Sequence, residues 1–375
     1  MDMEQLLRLV VERKASDLHL VVPGSPVLRI DGDLVAQEHL PGLTPEDTHQ
    51  AFVAMTSEEQ QRAFDQELEL DFAFDMPGGG RFRVNAAREK GTTSLSLRLV
   101  QTSVPDIKEM GLPEVCKTLA LRPRGLVMVT GPAGSGKSTT IAAMIEYLNE
   151  TTCRRIITIE DPIEFLYQKK RSVISQRELG TDTRSFAAAL KHALRQDPDV
   201  VFVGEMRDLE TISTALTTAE TGHLVLTTLH TPSAPQAVDR IIDVFPPYQQ
   251  QQIRVQLSTI LEGVLYQALM KRADDSGRVA AVEVMLATAA IRNLIREGKT
   301  HQIFNAIETG SQYGMQTLDQ SLLYLCHRRA IGKGEALGQA RNPDGVKKML
   351  SGLDENLRPP TELNHSPVPW ECPTL

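Results

Sequence analysis

Three glycines, a lysine and a serine stand at a spacing that suits one chemical task, the cradling of a phosphate chain. Gly131, Pro132, Ala133, Gly134, Ser135, Gly136, Lys137 and Ser138 meet the pattern GxxxxGK[ST] at every fixed position, with Thr139 directly behind. Phosphates crowd negative charge into a small volume, so their site needs converging backbone N–H groups and no Cβ atoms in the way. Gly131, Gly134 and Gly136 meet that need. A helix starting near Lys137 adds free N–H groups and a positive dipole end. Lys137 brings a mobile charge to the β- and γ-phosphates, and the Ser138 hydroxyl suits Mg²⁺. The rival reading, a glycine turn that happens to carry a lysine, is disfavoured by the context: an apolar run over residues 126–130 precedes the loop and a helical pattern over 139–148 follows it.

Acids recur where other apolar runs end. Ile157-Thr158-Ile159-Glu160-Asp161-Pro162-Ile163-Glu164 closes one, and Val201-Phe202-Val203-Gly204-Glu205-Met206-Arg207-Asp208 closes another. Open α/β sheets gather ligands at strand ends. Glu205 can there hold Mg²⁺, directly or through water, or polarise the water that attacks a γ-phosphate. Glu160 shares that placement, whereas Glu164 also reads as a surface residue and Asp208 as the cap of the next helix. His223 and His230 bracket a further apolar run. Their separation defines no metal site. His230, at the outgoing end, could sense a γ-phosphate and His223 could orient a neighbour; the spacing weighs these roles evenly against structural ones.

These residues need a scaffold. From residue 126 to 228 short apolar strands alternate with helices at 184–195 and 209–220, the pattern of a parallel sheet covered on both faces. After residue 250 the pattern reads as all helix, over 253–270, 289–297 and 315–328. The first hundred residues differ: a helix over 3–14, hairpin-like strands at 16–22 and 27–30, a helical stretch over 44–64 capped by Thr44 and Pro45, and strands near 68–75, 81–88 and 95–99. Arg81, Arg83 and Asn85 share one face of their strand. A solvated face paired with Asp71 and Asp75 is the first reading; arginines offered to a triphosphate on a facing subunit are the second. The expected organisation is an N-terminal α+β domain (1–99), a Pro- and Gly-bearing linker (100–115), an α/β nucleotide-binding domain with C-terminal helices (116–350) and a disordered Pro-rich tail (351–375).

The composition is globular, 41% hydrophobic and 23% charged, and the formal net charge of −8 argues against broad attraction to nucleic acid or anionic lipid. The 4 cysteines lie far apart and form no CxxC pair, which argues against a zinc module and against a disulfide framework. No apolar run is long enough to span a bilayer and none reads as an export signal, so a cytoplasmic protein is expected.

Taken together, residues 131–138, 157–164, 204–208 and 222–230 resemble the Walker A, Asp box, Walker B and His box of the secretion ATPase superfamily, in that order. The similarity extends to the PilT-type ATPases that retract type IV pili: Ser16-Asp17-Leu18-His19-Leu20 resembles their N-terminal signature, and Ala290-Ile291-Arg292-Asn293-Leu294-Ile295-Arg296-Glu297-Gly298-Lys299 the segment that marks retraction. By its own chemistry that last segment is only an amphipathic helix, with Ile291, Leu294 and Ile295 inward and Arg292, Asn293, Arg296 and Glu297 outward. The resemblance implies a PAS-like N-terminal domain and a RecA-like ATPase domain, assembled as a homohexamer with ATP and Mg²⁺ at subunit interfaces. It also implies that Arg81, Arg83 or Arg88 reaches across to the nucleotide, that Glu205 is the leading catalytic carboxylate, that Glu160 or Glu164 assists, and that His230 is a phosphate-linked switch. Implied partners are a pilus platform protein of the inner membrane and a second retraction ATPase, at the inner face of the cytoplasmic membrane, with no nucleic acid and membrane contact only through partners. Pilus assembly or type II secretion ATPases and, more remotely, nucleic-acid translocases stay open as alternatives. Ala133 departs from the threonine common in this family, and the tail has no counterpart in it.

Overall fold

The computed structural model describes residues 3–30, 32–76, 80–100 and 103–351; the expectation of a disordered tail falls almost wholly outside them. The chain divides into two compact units, one of residues 1–103 with 164–166, the other of residues 104–163 with 167–375.

The first unit runs α1 (Met3–Glu12), β1 (Asp17–Leu20), β2 (Val27–Ile30), β3 (Asp33–Ala36), α2 (Pro45–Met55), α3 (Glu58–Glu67), β4 (Glu69–Asp75), β5 (Arg81–Glu89) and β6 (Thr92–Leu99). Among the described residues its sheet has 6 strands in the order β3-β2-β1-β6-β5-β4, each pair antiparallel. Period-two alternation puts Phe82, Val84 and Ala86 in the core with Leu95 and Leu97, and leaves the arginine face of β5 outside that core. The helix expected over 44–64 is two helices. Thr44 and Asp47 form a capping box that opens α2 behind Pro45, but Ser57 and Gln60 form a second one, and Thr56 between them is extended, at φ −124°. The sequence reading also missed β3, a fully exposed edge strand.

The second unit opens with α4 (Val115–Ala120), β7 (Gly125–Thr130), α5 (Lys137–Thr151), β8 (Arg155–Glu160), β9 (Val173–Glu178), α6 (Phe186–Ala193), β10 (Val200–Val203), α7 (Leu209–Glu220), β11 (Leu224–Leu229) and α8 (Ala234–Asp243). It continues through α9 (Pro247–Ile260), β12 (Leu261–Lys271), β13 (Arg278–Leu286), α10 (Ala289–Arg296), α11 (Ile303–Glu308), α12 (Leu318–His327), α13 (Lys333–Gln339) and α14 (Pro343–Ser351). The described strands form one sheet of 7, in the order β13-β12-β7-β11-β10-β8-β9, parallel except for β13. Both faces are packed. Leu126 and Met128 of β7 enter one hydrophobic core while Val127 and Val129 enter the other, which is why this strand reads as a continuous apolar run. Ile107 and Leu112, from the stretch expected as a linker, are buried in the second core beside Cys116, whose thiol burial pushes up to about 12.

The C-terminal part is not all helix. Residues 253–270 divide between α9 and β12, and β12 pairs with β7 in the middle of the sheet. Gly263 marks the physical reason: a Cβ there would meet Leu119 Cδ2 at 2.9 Å, so the backbone lies hard against α4.

Candidate active site

β7 carries the chain to Thr130 and α5 takes it up at Lys137. The start of the intervening loop is stapled to the end of β11, because the Thr231 N–H donates to Thr130 Oγ1 at 2.9 Å. Glycine is demanded at two positions by the same neighbour. A Cβ on Gly131, at φ +150°, would lie 2.2 Å from Gln267 O, and one on Gly136, at φ +83°, would lie 2.9 Å from Gln267 Nε2. Pro132, Ala133 and Gly134 form the exposed tip, while Ser135 turns inward. Among the described residues, the buried Ser135 hydroxyl has no hydrogen-bond partner. A polar atom buried in a glycine-lined loop at a helix N-terminus fits a phosphate oxygen. Ser138 and Thr139 stand in the first turn of α5, half-buried.

Lys137 is 7% exposed and donates from Nζ to Gly131 O at 3.0 Å and Pro132 O at 2.8 Å. Nζ also lies 3.5 Å from His230 Nδ1. An ammonium only donates, so Nδ1 accepts and the imidazole proton sits on Nε2. Nε2 in turn lies 3.6 Å from Glu205 Oε2, which also binds Arg207 Nη2 at 2.7 Å. Hydrogen bonding to Glu205 raises the Arg207 pKa further. The structure thus brings Lys137, His230, Glu205 and Arg207 into one polar line, beside a cleft of about 430 Å³ lined in part by Glu205, His230, Pro232, Gln236 and Arg240.

The other predicted residues are placed variously. Glu160 ends β8 next to this line: it is 6% exposed and accepts from Thr158 Oγ1 at 2.6 Å and Gln176 Nε2 at 3.3 Å. Glu164 is exposed and falls in the stretch grouped with the first unit. Asp208 caps α7; burial works against its charge, but hydrogen bonds from the Thr211 N–H and hydroxyl outweigh that and lower its pKa. His223 stands at the opposite end of β11 from His230, where Nδ1 donates to Thr218 O at 3.0 Å. In the first unit, Arg81 binds Asp75 at 2.9 Å, and Arg88 binds Asp65 at 3.0 Å while lying 4.9 Å over the Phe64 ring. The Arg83 side chain has no hydrogen-bond or ion-pair partner among the described residues, and its cross-strand neighbours are Ala73 and Arg98.

No group of three or more His, Cys, Asp or Glu among the described residues is arranged to hold a metal ion. Mg²⁺ on a triphosphate does not ask for one, because phosphate oxygens and water fill most of its octahedron and one or two protein oxygens suffice. Ser138 and Glu205 are of the right chemistry.

Residues 2–320 match the model of the family described as type II/IV secretion system protein. The chain belongs to that family. Within this secretion ATPase family it is 47% identical over 344 residues to the type IV pilus retractation ATPase PilT of Pseudomonas aeruginosa, covering 92% of this chain and 99% of that protein. It is 41% identical to the type IV pilus ATPase PilU of the same organism, covering 93% and 91% of the two chains. Among solved structures, the pilus retraction motor PilT with bound ADP superposes with a TM-score of 0.87 at 44% identity, over 93% of this chain and 100% of that one. The expected fold, an N-terminal sheet domain followed by a RecA-like ATPase domain, therefore holds.

In this family member the segment resembling the retraction signature is only partly as expected. Ile291 and Ile295 are buried, but Arg292 is not turned to solvent: it donates to Ser258 O at 2.9 Å and Thr259 O at 2.6 Å and pairs with Glu262 at 2.9 Å. A cation on the last carbonyls of α9 satisfies groups the helix leaves open and complements its dipole. The sequence reading also missed Gln267 and Thr140, which join β12 to the phosphate loop. The turn Asp274-Asp275-Ser276-Gly277 between two apolar runs was the hairpin signal that could have revealed β12.

Proposed function

We propose that this chain is an ATP-hydrolysing motor for type IV pilus retraction, working as a homohexamer with ATP and Mg²⁺ at each subunit interface. The observation that carries hydrolysis is the line from Lys137 through His230 to Glu205 at the ends of adjacent strands. The direction of work rests on likeness to the retractation ATPase over nearly the whole chain.

In this reading Lys137 exchanges the carbonyls of Gly131 and Pro132 for phosphate oxygens, and the free N–H groups of the loop and α5 neutralise the rest. Mg²⁺, when bound through Ser138 and Glu205, withdraws charge from the β- and γ-phosphates. Glu205 orients the attacking water and takes up its proton, Glu160 supports it from β8, and His230 reports the γ-phosphate to Glu205. Glu164 is left as an accessory acid. An arginine of the neighbouring subunit supplies the remaining positive charge; Arg83 is favoured among the three because its side chain has no hydrogen-bond or ion-pair partner among the described residues. Force passes to a platform protein of the inner membrane, and a second ATPase of the same family is a fitting co-worker. No helix among the described residues is long and apolar enough to cross a membrane.

The test is removal of the chain from its cell with surface pili labelled by a thiol-reactive dye. Loss should leave pili that extend and no longer shorten, restored by the parent chain and not by Glu205→Gln. Pili that shorten at unaltered speed, or that fail to form, would overturn the assignment.

A further inference from the structure

Gln267 lies on β12, within the expected helix that is in fact an interior strand between β13 and β7. It is 1% exposed, and both ends of its amide are engaged: Nε2 donates to Ser135 O at 2.7 Å and Oε1 accepts from Thr140 Oγ1 at 2.6 Å. One rigid side chain therefore bridges the inner turn of the phosphate loop to the first turn of α5. Its backbone carbonyl also fills the space a side chain on residue 131 would need, and its amide nitrogen the space needed by one on residue 136.

The consequence follows from peptide geometry. In a trans peptide C=O and N–H point opposite ways, so fixing the Ser135 carbonyl on Gln267 fixes the Gly136 N–H away from it. Gly136 sits at φ +83° with no side chain of its own to hold that peptide plane. Without the clamp the Ser135–Gly136 peptide can rotate, and one donor of the phosphate cradle is lost to disorder. We propose that Gln267 is a positioning residue for nucleotide binding, acting through the Ser135 carbonyl and anchored by the Thr140 hydroxyl. This rests on the reading of the loop as a phosphate site.

Because Gln267 helps bind phosphate in ground state and transition state alike, its loss should act mainly on affinity and KM, with kcat changed much less. The test uses full-length protein, fluorescent mant-ADP titration and phosphate-release kinetics. Gln267→Glu keeps the bond from Thr140 but sets a carboxylate oxygen against the Ser135 carbonyl; Gln267→Leu removes both bonds. Each should weaken mant-ADP binding at least tenfold and raise KM by a similar factor. A merely structural role is separated by Thr140→Val combined with Gln267→Leu, which removes the stranded hydroxyl and should recover part of the lost thermal stability. If affinity stays low in that pair while stability returns, the clamp is supported. If affinity returns with stability, or if either single variant binds mant-ADP within twofold of the parent, the clamp is wrong. Failure of the parent chain itself to bind mant-ADP would instead overturn the phosphate-site reading, and the clamp with it.

Discussion

Replacing Arg83 by alanine separates activity from stability in a way that no other substitution on β5 does. Arg81 and Arg88 already hold Asp75 and Asp65 within their own sheet domain. For Arg88, losing a surface ion pair and a cation–π contact should cost about 1–2 kcal/mol. Arg83 has no such bond to lose, and its register places it directly across from Arg98. Like charges directly opposite each other destabilise a sheet, so Arg83→Ala should leave stability within about 0.5 kcal/mol of the parent, on the stabilising side. Its effect on hydrolysis should be opposite and large. An arginine supplied in trans to a phosphoryl transfer site is worth about 1,000-fold or more in kcat. Phosphate release at saturating ATP measures that loss, and mixing supplies the decisive control. In the proposed homohexamer, exchanging Arg83→Ala subunits with Lys137→Ala subunits creates interfaces where an intact Arg83 meets an intact phosphate loop, so part of the activity should return. Arg83→Ala with kcat within tenfold of the parent, or no recovery despite subunit exchange verified by fluorescence transfer, would refute the reasoning.

Glu205→Gln should retain mant-ADP binding within about threefold yet lose about 100- to 10,000-fold in kcat, the usual worth of a general base; phosphate release checks it, and unchanged turnover would pass the role to Glu160. Stability of the first unit should also depend on pH through Asp17. Burial opposes the charge of Asp17, but hydrogen bonds from Ser16 and Arg98 outweigh it and lower its folded pKa. With an unfolded pKa of about 3.9, the full contribution is present above that value and is lost as pH falls through the lower folded value. Hydrogen-exchange protection of β1 and β6 should thus be weaker in Asp17→Asn at neutral pH, and the gap should close on acidification; a constant gap would count against it.

What was legible in the sequence was whatever declared itself within about ten consecutive residues. The phosphate loop, the acids at the ends of β8 and β10, and the cap Asp208 all carry their meaning in local order, and α7 appeared with its observed bounds because Asp208 and the turn at Gly222 fence it. What was not legible depends on packing. β12 carries Leu261, Val264, Leu265, Ala268 and Leu269, a spacing that also suits a helix, and only the neighbouring β7 decides for a strand. Arg292 reads as a surface residue on its own helix and is drawn inward by the carbonyls of α9, 34 residues away in sequence. The pairing of Arg81 with Asp75 agrees with the first reading of that strand face and follows from register, whereas Arg88 meets Asp65 on α3, a contact between helix and sheet that local order does not reveal.

Strand order also explains why a histidine stands between the lysine and the glutamate. β7, β11 and β10 are consecutive neighbours, and each delivers one part to the same edge: Lys137 after β7, His230 after β11, Glu205 after β10. Adjacent strands are about 4.8 Å apart, so β7 and β10 are separated by about 10 Å. An ammonium and a carboxylate rooted on those two ends do not readily meet, and the strand between them must supply the link. His230 fills the gap with 3.5 Å on one side and 3.6 Å on the other, and a neutral imidazole is suited to it because it accepts at one nitrogen while donating at the other. When Lys137 turns from loop carbonyls to phosphate oxygens, Nδ1 loses its donor, and the only fixed contact left to the ring in that line is Glu205. In the proposed mechanism a change at the phosphate loop is then felt at the Glu205 carboxylate, two strands away, through a single side chain.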